Sequence, residues 1–273
     1  MDLVVFDLDG TLLNGESRIS DYTQETLALL RDKGIAYTVA TGRTLHASRK
    51  LLQGQNFNLP QIYKNGVMIW HPHDEYYSRK HVLSEHEVER VLQAFVEQGV
   101  TPFIFTLEPN NRHAAYHTHL QSEAEVRLAD ELSINRELPV LPAADLPGDA
   151  EITNISALVP LAAIEKIVDV VATEPHLVAY RGIGMRSHDI HWLDIHHSEG
   201  SKGAAVEQLK LDLGVSQVIC FGDSDNDLSM FAQADEAYAP SNSIEEVKSA
   251  ATAVIGHHDE DGIARFLRER FSL

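Results

Sequence analysis

Two aspartates separated by one leucine, Asp7 and Asp9, follow the apolar run Leu3–Phe6, and Gly10 comes next. Like charges about 4 Å apart repel by roughly 4 kcal/mol at an effective dielectric near 20. A bound cation, a shared proton or open water must offset that repulsion. Open α/β sheets gather their ligands just beyond the carboxyl ends of strands. A spacing of two in extended backbone sends both carboxylates to one side. The backbone N–H of Leu8 can then face a ligand, and Gly10 permits the sharp turn that follows. A solvated acidic loop is the plain alternative for so short a motif.

The same design recurs late in the chain. The buried-type run QVICF leads into GDSDND, residues 222–227, which adds Asp223, Asn226 and Asp227. Alone this is a capped turn into the helix that follows. Together with Asp7 and Asp9 it collects carboxylates at one sheet edge, with no thiol chemistry beside them. Such an oxygen-rich site suits Mg²⁺, a hard cation. Two further pieces suit a phosphate. Thr41 and Gly42 end the second strand with a hydroxyl and an unobstructed N–H, and Lys202 brings a positive charge to a helix N-terminus.

These residues need a scaffold, and the chain is long enough to build one. It has 273 residues, 44% of them hydrophobic, with 22 Lys+Arg against 41 Asp+Glu and a net charge of −19. So acidic a chain lacks the footprint of a general nucleic-acid binder. The single cysteine, Cys220, excludes an intramolecular disulfide and reads as a buried strand residue. Met1-Asp2 runs straight into the first strand with no basic leader, and no apolar run nears membrane-spanning length. A cytoplasmic protein with no membrane partner is expected, and no obligate protein partner is evident.

The first eighty residues alternate strand and helix. Ser20 caps a helix that stops at Gly34, Ile35–Ala40 is a strand, a helix follows Arg43, and Asn65-Gly66 is a tight turn between two short strands. Parallel strands with crossover helices are the expected result. The middle differs. A capping box at Ser84 and Glu87 opens a helix striped by Val88, Val91, Leu92 and Phe95. VTPFIFTL reads as a strand, a polar His-rich stretch follows, and three prolines mark ELPVLPAADLPGD as a loop. Strand ITNISALV, helix LAAIEKIVDVVA and strands around LVAYRGIGMRS and HWLDIHH complete an α+β unit. After Ser201 the parallel rhythm resumes. This reads as residues 1–80 and 197–273 forming one domain, interrupted by residues 81–196.

Asp7-x-Asp9-Gly10-Thr11-Leu12, Thr41-Gly42-Arg43, Lys202-Gly203 and Gly222-Asp223-x-x-Asn226-Asp227 resemble the four motifs of the haloacid dehalogenase (HAD) superfamily. The insertion, with Asn65-Gly66 and the DEDG at 259–262, resembles its Cof-type, subfamily IIB phosphatases. APSN at 239–242 departs from the MGN-like run of that subfamily. The resemblance implies an α/β fold, a Rossmann-like parallel-sheet core with an inserted α+β cap domain. It also implies a Mg²⁺-dependent phosphatase acting on a small phosphorylated substrate. Asp7 would be the nucleophile and Asp9 the acid/base. Mg²⁺ would rest on Asp7, the Asp9 carbonyl and Asp223, with Asp227 completing or bracing the metal site. Leu8 N–H, Thr41, Gly42, Lys202 and Asn226 would hold the phosphoryl oxygens.

Other readings use the same residues. A phosphomutase or phosphotransferase shares the chemistry but passes the phosphoryl group to a sugar. A non-catalytic sensor of a phosphorylated metabolite would not need the acid/base Asp9. A receiver-type phosphorylation domain would not need so large an insertion. Arg43 can brace a loop or meet substrate. The histidines at 113–119 and 196–197 lack a third ligand at a zinc spacing and are expected at the surface.

Overall fold

The computed structural model describes residues 2–183 and 190–273. Two compact units emerge, Met1–Arg79 with Gly200–Leu273, and Lys80–Glu199. The first unit begins with β1 (Asp2–Phe6), α1 (Asp21–Asp32), β2 (Ala36–Val39), α2 (Leu45–Leu52), β3 (Gln61–Tyr63), β4 (Met68–His71) and β5 (Tyr76–Lys80). The second contains α3 (Glu85–Glu97), β6 (Phe103–Glu108), β7 (Arg112–His117), α4 (Glu123–Asp130), β8 (Val140–Pro142), β9 (Glu151–Pro160), α5 (Leu161–Ala172), β10 (Leu177–Ile183) and β11 (Ile190–His197). The chain then returns to the first unit through α6 (Lys202–Leu213), β12 (Gln217–Phe221), α7 (Leu228–Phe231), β13 (Glu236–Pro240), α8 (Glu245–Ala250), β14 (Ala253–Ile255) and α9 (Gly262–Phe271).

Five strands of the first unit form a parallel sheet in the order β14-β13-β12-β1-β2. β1 is an interior strand and is apolar from Leu3 to Phe6 because both of its faces are covered there. Val4 and Phe6 join one core with Leu27, Leu30 and Phe221. Leu3 and Val5 join the other with Ala205, Val206, Leu209 and Cys220. In-register pairing of Phe6 with Phe221 and with Val39 ends three strands at one level. The loops 7–12, 41–43 and 222–227 therefore leave the sheet along a single edge.

The second unit is a six-stranded sheet, β10-β11-β9-β6-β7-β8. Alternation along its strands divides two cores: Ile104, Ile155, Ala157 and Val159 pack with Val91, Phe95, Ile164 and Ile167, and Phe103, Phe105 and Leu158 pack with Leu128. Sequence reading and structure differ here in three places. The His-rich stretch contains a strand, β7, flanked by β6 and β8, and His113 is buried in it, as His196 is in β11. The proline loop contains β8, an edge strand in which a missing N–H breaks no ladder. Helix α4 lies where the sequence suggests only polar coil, and Ser122 and Glu125 cap it reciprocally. Part of the strand expected around LVAYRGIGMRS lies outside the described residues. None of the described helices is long and apolar enough to cross a membrane.

The Asn65-Gly66 turn joins β3 and β4 as expected, and it also fits against the start of α6. Gly66 has φ +99°, and a Cβ there would lie 2.1 Å from the Ser201 carbonyl oxygen. Gly34, φ +72°, has open space around it. Left-handed backbone alone costs a residue with a Cβ about 1–2 kcal/mol. Gly34→Ala should therefore lose roughly that much in urea denaturation. Gly66→Ala, which must also displace backbone, should lose at least about 1 kcal/mol more. Equal losses would show that the turn does not need its close approach to α6.

Candidate active site

Strand β1 stops at Phe6, and Leu8–Leu12 form a tight turn in which Gly10 takes φ +72°. Because the chain bends at once, the two aspartates part company, contrary to the extended-chain expectation. Asp7 is buried, whereas the Asp9 side chain is 56% exposed. Leu8 buries its side chain in the core, which leaves only its backbone to meet a ligand.

Lys202 is the organising cation. Its ammonium group is fully buried and donates to Asp7 Oδ1 and Asp227 Oδ1, each at 2.6 Å. Ser201 caps the helix that carries it by accepting the Ala204 N–H. Asp227 spends its other oxygen, Oδ2, on the N–H groups of Asp223 at 2.8 Å and Ser224 at 3.0 Å. Asp7, Asp223 and Asp227 each present an oxygen within 4.8 Å of the others. The Asp9 carboxylate is held elsewhere. Arg43 grips both of its oxygens, through Nε at 2.6 Å and a terminal nitrogen at 2.5 Å.

Smaller contacts align the loops. Thr11 donates its hydroxyl to Asp223 at 3.1 Å, and a Cβ on Gly10 would stand 2.4 Å from that carboxylate. Thr41 is buried, and its hydroxyl accepts the Arg43 N–H. Asn226 donates from Nδ2 to Asn65 Oδ1 at 2.9 Å, and the same Asn65 oxygen borders Gly42. Asn242, in the APSN run that departs from the subfamily pattern, donates to the Gly10 carbonyl at 2.8 Å. Its Oδ1 accepts the N–H of His258, whose ring contacts the Leu13 carbonyl. Local sequence gives Asn242 no role and Asn65 only that of a turn residue. Their capacity to bridge loops depends on folding partners far along the chain.

The electrostatics are out of balance. Burial drives the Asp7 carboxyl well above the ordinary range against the pull of Lys202, with Asp227 and Asp223 adding to the rise. Burial and then Asp227 push Asp223 up to about 6, although Thr11 and Lys202 oppose them. For Lys202, burial favours the neutral amine, but Asp227 and Asp7 outweigh it and hold the ammonium above the usual lysine range. Three carboxylates against one ammonium leave an excess of negative charge in an all-oxygen donor set. A divalent hard cation fits that set.

A sequence profile of the haloacid dehalogenase-like hydrolases matches residues 4–267. The chain belongs to this family. The Bacillus subtilis (strain 168) protein named 5-amino-6-(5-phospho-D-ribitylamino)uracil phosphatase YitU is 29% identical to this hydrolase over 277 residues, covering 99% of this chain and 98% of its own. The HMP-PP phosphatase of Cronobacter sakazakii (strain ATCC BAA-894) is 26% identical, covering 97% and 94%. The solved HAD subclass IIB sugar phosphatase BT4131 superimposes with a TM-score of 0.77 at 23% identity, over 100% of this chain and 99% of that one. The expected α/β core and the class of phosphoric monoester hydrolases agree with these likenesses.

Folded Asp223 retains a proton up to about pH 6, whereas in the unfolded chain it loses that proton near pH 4. Stability therefore falls as pH rises through this window, and the cost is complete above it. With chelator present, Asp223→Asn should raise Tm by about 2–4 °C near pH 7.5, with solvent screening limiting the gain. Below about pH 4 the gain should vanish. An equal shift at both pH values would contradict the charge imbalance.

Proposed function

We propose that this hydrolase removes the phosphoryl group from a small phosphorylated metabolite, a sugar phosphate or similar ester, through an aspartyl-phosphate on Asp7 with Mg²⁺ at the acidic cluster. The observation that carries the reading is the buried Lys202 clamped between Asp7 and Asp227 with Asp223 alongside. The relatives named as phosphatases of phosphorylated metabolites support the substrate class.

The residues then divide the work. Asp7 attacks phosphorus through the oxygen that Lys202 does not hold, splitting one displacement into two. Lys202 has three N–H donors and gives two to carboxylates, so the third serves a phosphoryl oxygen. Leu8 N–H, Thr41, Gly42 and Asn226 are assigned the remaining phosphoryl oxygens. Asp7, the Asp9 carbonyl and Asp223 would hold the cation, and Asp227, both of whose oxygens are engaged, braces them. Bound there, Mg²⁺ would supply positive charge to the transferring phosphoryl group. Asp9 gives a proton to the leaving oxygen and takes one from the attacking water, which requires Arg43 to release one carboxylate oxygen. Substrate choice is assigned to the inserted residues 81–196, the proposed cap.

Asp7→Asn should lower turnover of phosphate esters by about a thousandfold or more while leaving the melting curve cooperative. Chelator should abolish wild-type activity and Mg²⁺ restore it. Substantial hydrolysis by Asp7→Asn, or full activity in chelator, would refute the assignment. Lysine cannot span two carboxylate oxygens as guanidinium does. Arg43→Lys should accordingly lower kcat about tenfold with little change in KM, and nearly as much as Arg43→Ala. A rise in KM alone would instead place Arg43 on the substrate.

A further inference from the structure

Among the described residues outside the acidic cluster, two groups of side chains have the composition and spacing of a cation site, the sequence neighbours His257, His258 and Asp259, and the group His81, His197 and Glu199. His81 lies one residue beyond β5, His197 ends β11, and Glu199 is the last residue of the second unit. Remote segments thus meet: ligand atoms of all three lie within 4.8 Å of one another. His81 Nδ1 and Glu199 Oε2 are 3.5 Å apart. That separation is long for a charge-assisted hydrogen bond. It matches the edge of a tetrahedron, about 3.3 Å, around a zinc ion with ligands near 2.05 Å. The His81 and His197 rings stack with centroids 5.5 Å apart, and the His176 ring stacks on His197 at 5.4 Å. The Glu199 N–H meets His197 Nδ1 at 3.3 Å, a weak contact that metal binding can displace at small cost.

We propose that His81, His197 and Glu199 bind a divalent transition-metal ion, Zn²⁺ or its spectroscopic substitute Co²⁺, with water completing the coordination. Two imidazoles and one carboxylate select such an ion over Mg²⁺, which prefers oxygen donors. The site is chemically distinct from the all-oxygen cluster of Asp7, Asp223 and Asp227. Spacing along the sequence conceals it, because no two of its histidines are near one another in the chain. The ion would fasten together the stretches by which the chain enters and leaves the second unit. Closing so long a loop with a metal clip stabilises the folded state.

The test is a Co²⁺ titration of the full chain, stripped with chelator and then kept in saturating Mg²⁺ to occupy the oxygen site. Wild type should bind one equivalent with the visible absorption of a four-coordinate nitrogen/oxygen site, and Zn²⁺ should bleach it. His81→Ala and His197→Ala should each weaken binding about a hundredfold, and Glu199→Gln about tenfold. His257→Ala, in the separate His257-His258-Asp259 group, should leave the spectrum unchanged. Titrations that coincide for wild type and His81→Ala, or loss of the signal in His257→Ala, would overturn the proposal. X-ray absorption of the zinc-loaded wild type requires no variant. Two imidazole ligands are expected, and an all-oxygen shell would overturn it.

Discussion

A single ammonium group with no solvent exposure holds two carboxylates, and the rest of the candidate site is arranged around that fact. Burying Lys202 unpaired would be strongly unfavourable, so Asp7 and Asp227 must arrive from β1 and β12 at the same depth. The parallel register ends those strands together, and the tight turn after β12 brings Asp227 back beside Asp7. Adding Asp223 then creates more negative charge than Lys202 can neutralise. The resulting instability matches what a site must have if it is to welcome a cation and an anionic substrate together.

Close approach is the second requirement. Gly10 lets the first loop touch Asp223, Gly222 sits directly against the Asp227 side chain, and Gly66 meets the start of α6. Asparagines lock these approaches: Asn65 to Asn226, and Asn242 to the Gly10 carbonyl. Loops locked in this way would fix the groups proposed to face the phosphoryl oxygens before substrate arrives, which is how electrostatic preorganisation lowers a barrier. Arg43 is the exception. In the proposed mechanism its two-point grip on Asp9 must loosen for proton transfer, which would make the proposed acid/base the member of the site that moves.

Much of this was legible in the sequence, for reasons that differ by residue. The core strands could be read because both-face burial writes an unbroken apolar run, as in Leu3–Phe6 and Val218–Phe221. The acidic loops could be read because each follows such a run directly. The parting of Asp7 from Asp9 could not, since it depends on where the turn begins. Nor could β7 and β8, whose histidines and prolines argue for a surface loop until neighbouring strands cover them. Asn242 and the His81–His197–Glu199 group join residues distant in the chain, and local spacing carries no trace of them.

In the proposed mechanism Asp7 itself becomes phosphorylated, and this can be measured without knowing the physiological substrate. A fast-turnover aryl phosphate is mixed with enzyme and Mg²⁺, the reaction is quenched in acid within the first turnover, and the digest is mapped by mass spectrometry. One phosphoryl group is expected on the peptide bearing Asp7, formed at the rate of the burst and discharged by water. A burst with no phosphorylated peptide, or a phosphoryl group on any other residue, would contradict it.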